Sequence, residues 1–111
     1  MGMILSCPDE CRCNNRKQVY CNNRNLQALP DNIPADTKVL FLQDNQLINT
    51  AELEAQLGKL DKLERLMFYS NQLATIPKLN APNLRELRLN NNRLPYRKSP
   101  LSVKSFMWIN I

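Results

Sequence analysis

Four cysteines crowd into one stretch, CPDECRCNNRKQVYC over residues 7–21, with the spacing C-x3-C-x-C-x7-C. Thiols at that density can ligate a metal or close disulfides. The chain has no histidine, so a zinc site would need all four thiolates. The one-residue gap between Cys11 and Cys13 is too short for the usual two-to-four-residue zinc knuckle. Disulfides fit best, and they imply an oxidising compartment. Spacing alone permits three pairings. The other candidates for chemistry are the carboxylates Asp44 and Glu86. In the repeat pattern described below they fall near the separation of a glycosidase pair. Both should be solvated, however, with Arg65 and Arg88 close enough to keep them ionised. They read as ordinary surface charges. The only glycines, Gly2 and Gly58, build no phosphate loop. No catalysis, metal or cofactor is expected.

The elements that carry these residues follow from a phrase that occurs three times. Thr37 to Leu47 reads TKVLFLQDNQL, Leu63 to Leu73 reads LERLMFYSNQL, and Leu84 to Leu94 reads LRELRLNNNRL. Numbered from Thr37, Leu63 and Leu84, apolar residues recur at offsets 4, 6 and 11 and an asparagine at offset 9 (Asn45, Asn71, Asn92). This is the pattern of a leucine-rich repeat, a short parallel strand followed by a turn. Offset 1 is least regular, since Thr37 stands where the other copies have leucine. A buried amide needs hydrogen-bond partners, so the asparagines predict a structural ladder bonded to loop backbone. Val19, Cys21 and Leu26 repeat the same phase, which makes the cysteine segment a cap in register with the stack. Such a cap is needed to cover the apolar side of the first repeat.

The returning segments are of two kinds. QALPDNIPAD and ATIPKLNAPN place Pro30, Pro34, Pro77 and Pro82 where they exclude helix and favour extended backbone. Between Ala51 and Leu63, by contrast, Leu53, Leu57 and Leu60 lie at helical spacing. Thr50 is the expected cap, and the helix should end near Gly58. The fold predicted is an α/β leucine-rich repeat solenoid: a short curved parallel sheet, a mostly irregular convex side and a disulfide-bonded N-terminal cap. Residues 7–36 form the cap, 37–94 the repeats, and 95–111 an atypical tail or partial last strand, expected within Phe106 to Ile111.

Net charge is +5. The excess lies at the end, where Arg93, Arg97, Lys98 and Lys104 follow a nearly neutral body, which argues against a nucleic-acid footprint over the fold. Those four residues read as a solvated basic run at a chain end, with anionic polysaccharide or membrane phosphate as the alternative ligands. No apolar run is long enough to span a membrane. MGMILSC lacks the features of a signal peptide, which implies a chain trimmed of its natural leader. No cysteine-containing cap follows Leu94, so an uncovered C-terminal edge, with Trp108 near it, could pair two copies of the chain.

Strand alternation puts offsets 3, 5 and 7 on the concave, solvent-facing side. Tyr20, Phe41, Met67 and Tyr69 form an apolar streak there. Arg65, Glu86, Arg88 and Asn90 form a charged patch beside it, and Gln43 lies between. Aromatic residues next to arginine are what protein-binding surfaces favour, although Phe41 and Met67 would also stack to stabilise the sheet.

The segment CPDECRC…VYCNNRNLQALPDNIPADTKVLFLQDNQL closely resembles the N-terminal cap and first repeat of extracellular leucine-rich repeat proteins. Variable lymphocyte receptors of jawless fish, Slit and the small leucine-rich proteoglycans share this look, and the 21- and 26-residue spacing is most similar to the proteoglycans. The resemblance covers residues 7–94. It implies the pairings Cys7–Cys13 and Cys11–Cys21, a secreted or cell-surface location, and a macromolecular ligand, most readily a protein, on the concave sheet.

Overall fold

A computed structural model describes residues 7–94 together with the backbone of 108–110. Six strands form one sheet in chain order: β1 (Arg12–Cys13), β2 (Gln18–Tyr20), β3 (Val39–Phe41), β4 (Arg65–Met67), β5 (Glu86–Arg88) and β6 (Trp108–Asn110). β1 runs antiparallel to β2, and every later pair is parallel. The register carries Val19 onto Leu40, Leu66 and Leu87, so one leucine phase runs straight across the sheet. These residues and the next inward set, Cys21, Leu42, Phe68 and Leu89, are all buried, as are Leu26, Leu47 and Leu73. Each such side chain contributes roughly 1.5–3 kcal/mol by leaving water, which fixes the register against a one-residue slip.

The turn after each strand is as regular as the strand. Asn23, Asp44, Ser70 and Asn91, all at offset 8, have φ of 57°, 61°, 58° and 59°. Asn and Asp enter this left-handed region more readily than other side-chain-bearing residues, and only Ser70 departs from them. In the first three turns the offset-8 N–H crosses to the next repeat, from Asn23 to Gln43 O, from Asp44 to Tyr69 O and from Ser70 to Asn90 O. The asparagine ladder lies just inside. Asn45 Oδ1 accepts from the N–H groups of Arg24 and Leu26, while its Nδ2 donates to Cys21 O and Leu42 O. Asn71 spans Leu47 N–H, Leu42 O and Phe68 O in the same way, and Asn92 spans Leu73 N–H, Phe68 O and Leu89 O. Thr37, the irregular offset-1 residue, is fully buried, and its hydroxyl donates to Pro34 O at 2.6 Å. That bond satisfies the polar atom that leucine lacks.

Disulfides join Cys7 to Cys13 and Cys11 to Cys21, with Cα atoms 6.0 and 4.4 Å apart. Cys21 occupies a core leucine position, so the second bridge ties the cap directly to the stack. On the opposite side, α1 (Ala51–Leu57) starts at Thr50, whose hydroxyl accepts from Leu53 N–H, and stops at Gly58. It buries Leu53 and Leu57. Polar side chains then link it to both neighbouring segments. Gln56 Nε2 donates to Leu29 O and Pro30 O, Lys78 N–H donates to Glu54 Oε2, and Asn80 Nδ2 donates to Gly58 O. The prolines leave those loop carbonyls and N–H groups outside regular ladders, and side chains of the helical segment take them up. β6 pairs with β5 within the stretch expected to give a last strand, so β5 is not an edge.

Candidate binding face

The side of the sheet away from the leucines presents a line of side chains set by the register. Arg12 pairs with Tyr20, Tyr20 with Phe41, Phe41 with Met67, and Met67 with Arg88. The rings of Tyr20 and Phe41 stack with centroids 4.4 Å apart and planes within 4°. That spacing is close to the separation of neighbouring strands, so the rings stand upright on the sheet and turn their edges outward. Gln18 Oε1 accepts from the Tyr20 hydroxyl at 3.2 Å and from Asn14 Nδ2 at 2.8 Å, which fixes the tyrosine in place. Met67 is only 9% exposed. It supports the line more than it presents surface.

The second line, through the strand starts, pairs Gln18 with Val39, Val39 with Arg65, and Arg65 with Glu86. Here the charges gather. Arg88 Nε donates to Glu86 Oε2 at 2.7 Å, and Arg65 Nε lies 3.6 Å from Glu86 Oε1. Glu86 is the most covered of the three, with 19% of its side chain exposed against 56% for Arg65 and 43% for Arg88. One carboxylate thus holds two guanidinium groups over the sheet. Past the strand ends, Gln43, Tyr69 and Asn90 are half-buried. Among the described residues, Gln43 Oε1 is enclosed with no hydrogen-bond partner.

The streak and patch expected from alternation are therefore one continuous surface, with Tyr20, Phe41 and Met67 leading directly into Arg65, Glu86 and Arg88. Asp44 sits exposed on its left-handed turn, and Glu86 is engaged by Arg65 and Arg88. Alternation from the repeats alone did not bring out Arg12, which joins this face at the end next to Tyr20. The signal was present in the triplet Cys11-Arg12-Cys13: with both cysteines bridged towards the core, the residue between them must point the other way. Arg93 is exposed, while Arg97, Lys98 and Lys104 lie outside the described residues. Among the described residues no group of acidic or cysteine side chains could hold a metal ion, and no helix is long and apolar enough to cross a membrane.

Comparison with known proteins gives a consistent picture. The leucine-rich repeat transmembrane protein FLRT2 of Homo sapiens is 41% identical over 73 residues, covering 66% of this chain and 11% of that protein. Fibromodulin of Gallus gallus is 36% identical over 104 residues, covering 86% of this chain and 26% of that protein. Among solved structures, the octameric complex of latrophilin 3, Unc5D and the FLRT2 repeats contains a chain that matches with a TM-score of 0.68 at 40% identity. The match covers 79% of this chain and 26% of that one. No family profile matches. The chain thus spans about a tenth to a quarter of the length of these relatives.

Proposed function

We propose that this chain, an extracellular leucine-rich repeat protein with a cysteine-rich N-terminal cap, binds a protein ligand through the concave face of its sheet. The observation that carries the reading is the line from Arg12 through the stacked Tyr20 and Phe41 to Arg88, built on the side of the sheet that the leucine core leaves uncovered. Arg12, Tyr20, Phe41 and Arg88 lie outside the buried core cluster, so aromatic residues and arginines here are not needed to bury leucine. They are the residue types that dominate binding energy at protein interfaces. Tyr69 and Arg88 are the first residues assigned to contact, with Gln43, Asn90, Arg65 and Glu86 around them.

The solved complex of the FLRT2 repeats with latrophilin 3 and Unc5D supplies first probes. The full chain is tested by biolayer interferometry against the ectodomains of those two proteins and an array of other extracellular proteins. Replacing Tyr69 and Arg88 together by alanine should weaken any specific binding by about thirtyfold or more. Lys59→Ala, on the far side beside α1, should leave it unchanged. Binding that survives the double replacement would remove the concave face from the reading.

A further inference from the structure

Past the strand ends the sheet runs on into a band of different chemistry. The offset-7 residues Asn22, Gln43, Tyr69 and Asn90 stay in register, because the N–H groups of Asn23, Asp44 and Ser70 reach across to Gln43 O, Tyr69 O and Asn90 O. With the four offset-8 turn residues they make two rows of eight side chains, of which Asp44 alone is charged. A protein surface ordinarily mixes in lysine, arginine and carboxylates. This band instead offers amides, one serine hydroxyl and one phenol. Among the described residues none of the eight side chains forms a hydrogen bond or an ion pair. The offset-9 amides beside them do the opposite, since Asn45, Asn71 and Asn92 each bond backbone in two repeats.

Part of that composition belongs to the fold. Offset 8 lies at positive φ, which accounts for Asn23 and Asn91 without any ligand. Offset 7 is different. No residue of that row has a positive φ, and asparagine is disfavoured where backbone runs extended. Neither the turn nor the ladder therefore calls for Asn22 or Asn90. Tyr69, in the same row, pairs with no other aromatic ring among the described residues, and its hydroxyl holds no partner there. An amide donates through its nitrogen and accepts through its oxygen, which matches sugar hydroxyls, each a donor and an acceptor at once. The negative face of a phenol ring attracts the C–H groups of a sugar. A charged ligand would find only Asp44 to meet. Asn22 and Asn90 are three strand spacings apart, about 14 Å, a span that about three sugar rings cover. We infer that this band binds a neutral oligosaccharide laid across the repeats, with Tyr69 under one ring and Asn22 and Asn90 holding hydroxyl groups. The inference goes beyond the protein ligand. Tyr69 and Asn90 are shared with that reading, whereas Asn22 belongs to the band alone.

The test applies the full oxidised chain to an array of neutral oligosaccharides printed beside their sialylated and sulfated forms. The strongest neutral probe is then titrated in solution by calorimetry. Neutral probes should bind at least as tightly as their charged forms. Asn22→Ala and Asn90→Ala should each weaken the neutral probe about three- to tenfold, the loss of a hydrogen bond or two. Tyr69→Ala should weaken it about tenfold and Tyr69→Phe by less. Lys59→Gln and Phe41→Leu should leave it unchanged, with the folding of every variant checked by circular dichroism. No binding of any neutral probe, preference for the charged forms, or binding that survives Asn22→Ala and Asn90→Ala together overturns the assignment. The protein-ligand reading fails separately. If no glycan binds but protein binding is lost with Tyr69 and Arg88 and kept in Asn22→Ala, the concave face stands and the oligosaccharide falls. If the neutral probe binds through Asn22 and Asn90 while protein binding survives the double replacement, the reverse holds.

Discussion

The asparagine ladder makes a prediction whose order can be worked out bond by bond. Asn45→Ala strips partners from two N–H groups at once, Arg24 and Leu26, and removes the side-chain donor to Cys21 O. Leu42 O keeps a donor, since Asn71 Nδ2 also reaches it at 2.9 Å. Asn71→Ala orphans one buried N–H, that of Leu47. Its carbonyls are covered from both sides, Leu42 O by Asn45 and Phe68 O by Asn92. Asn92→Ala releases Leu73 N–H in a partly exposed setting, where water can replace part of the loss. A buried donor left without a partner costs about 1–3 kcal/mol. The expected losses are therefore about 2–4 kcal/mol for Asn45→Ala, about 1–3 for Asn71→Ala and about 1–2 for Asn92→Ala. Against a domain stability of about 5–15 kcal/mol, the first is severe.

Urea unfolding of the oxidised protein, followed by far-ultraviolet circular dichroism, measures the three differences. Asn45→Asp is the sharper control. It keeps the acceptors for Arg24 and Leu26 but sets a carboxylate oxygen against Cys21 O and Leu42 O, so its folded-state pKa is raised. The resulting penalty is present at neutral pH and vanishes below the unfolded value of about 3.9. If Asn45→Ala costs less than Asn92→Ala, or Asn45→Asp matches wild type at neutral pH, the ladder is not the support described.

Three other expectations follow from local geometry. Ser70 is the one offset-8 residue in the left-handed region that is neither Asn nor Asp; Ser70→Asn should raise stability by about 0.5 kcal/mol in the same urea assay, and a loss would show that the hydroxyl has its own role. Replacing Cys11 and Cys21 by serine opens the bridge that ties the cap to the core, with an expected cost of about 3 kcal/mol for a loop of this length, while mass and redox state are checked by mass spectrometry. Lys78 N–H and the Asn49 amide, both donating to Glu54, hold its carboxyl below the ordinary range. The stability this adds is present above about pH 4.3 and is lost as pH falls through the folded value, so Glu54→Gln should flatten the acid side of the thermal-stability profile, and an unchanged profile would count against it.

Most of the fold was legible because the repeat imposes one phase on every level. Offsets 4, 6 and 11 fix which residues are buried, so Val19, Cys21 and Leu26 could be placed in the core from their spacing alone. The α1 boundaries were equally local, set by Thr50 and Gly58. Less legible were features that depend on contact across repeats. Nothing in Tyr20 or Phe41 taken alone says that their rings stack, since that needs the in-register pairing of β2 with β3. Met67 carries the same offset as those two yet is almost covered, because Phe41 and Arg88 flank it in the line. Arg12 lies on a two-residue antiparallel strand outside the repeat period, and periodicity could not reach it.

The same division separates stability from recognition. Leucines and asparagines act through the buried side and the turns, where a change orphans a backbone group or opens a void. Apart from the buried Met67, the line from Arg12 to Arg88 touches neither, so substitutions there should alter binding while leaving unfolding nearly unchanged. Phe41 is the exception that tests the separation, because its ring stacks on Tyr20 and also lies on the proposed binding face. Phe41→Ala forfeits an aromatic pair worth about 0.5–1.5 kcal/mol, whereas Arg12→Gln forfeits no hydrogen bond or ion pair of its side chain among the described residues. A repeat protein of this kind can therefore change its ligand through the arginines at little cost in stability. It can change its aromatic centre only within the margin its leucine core leaves.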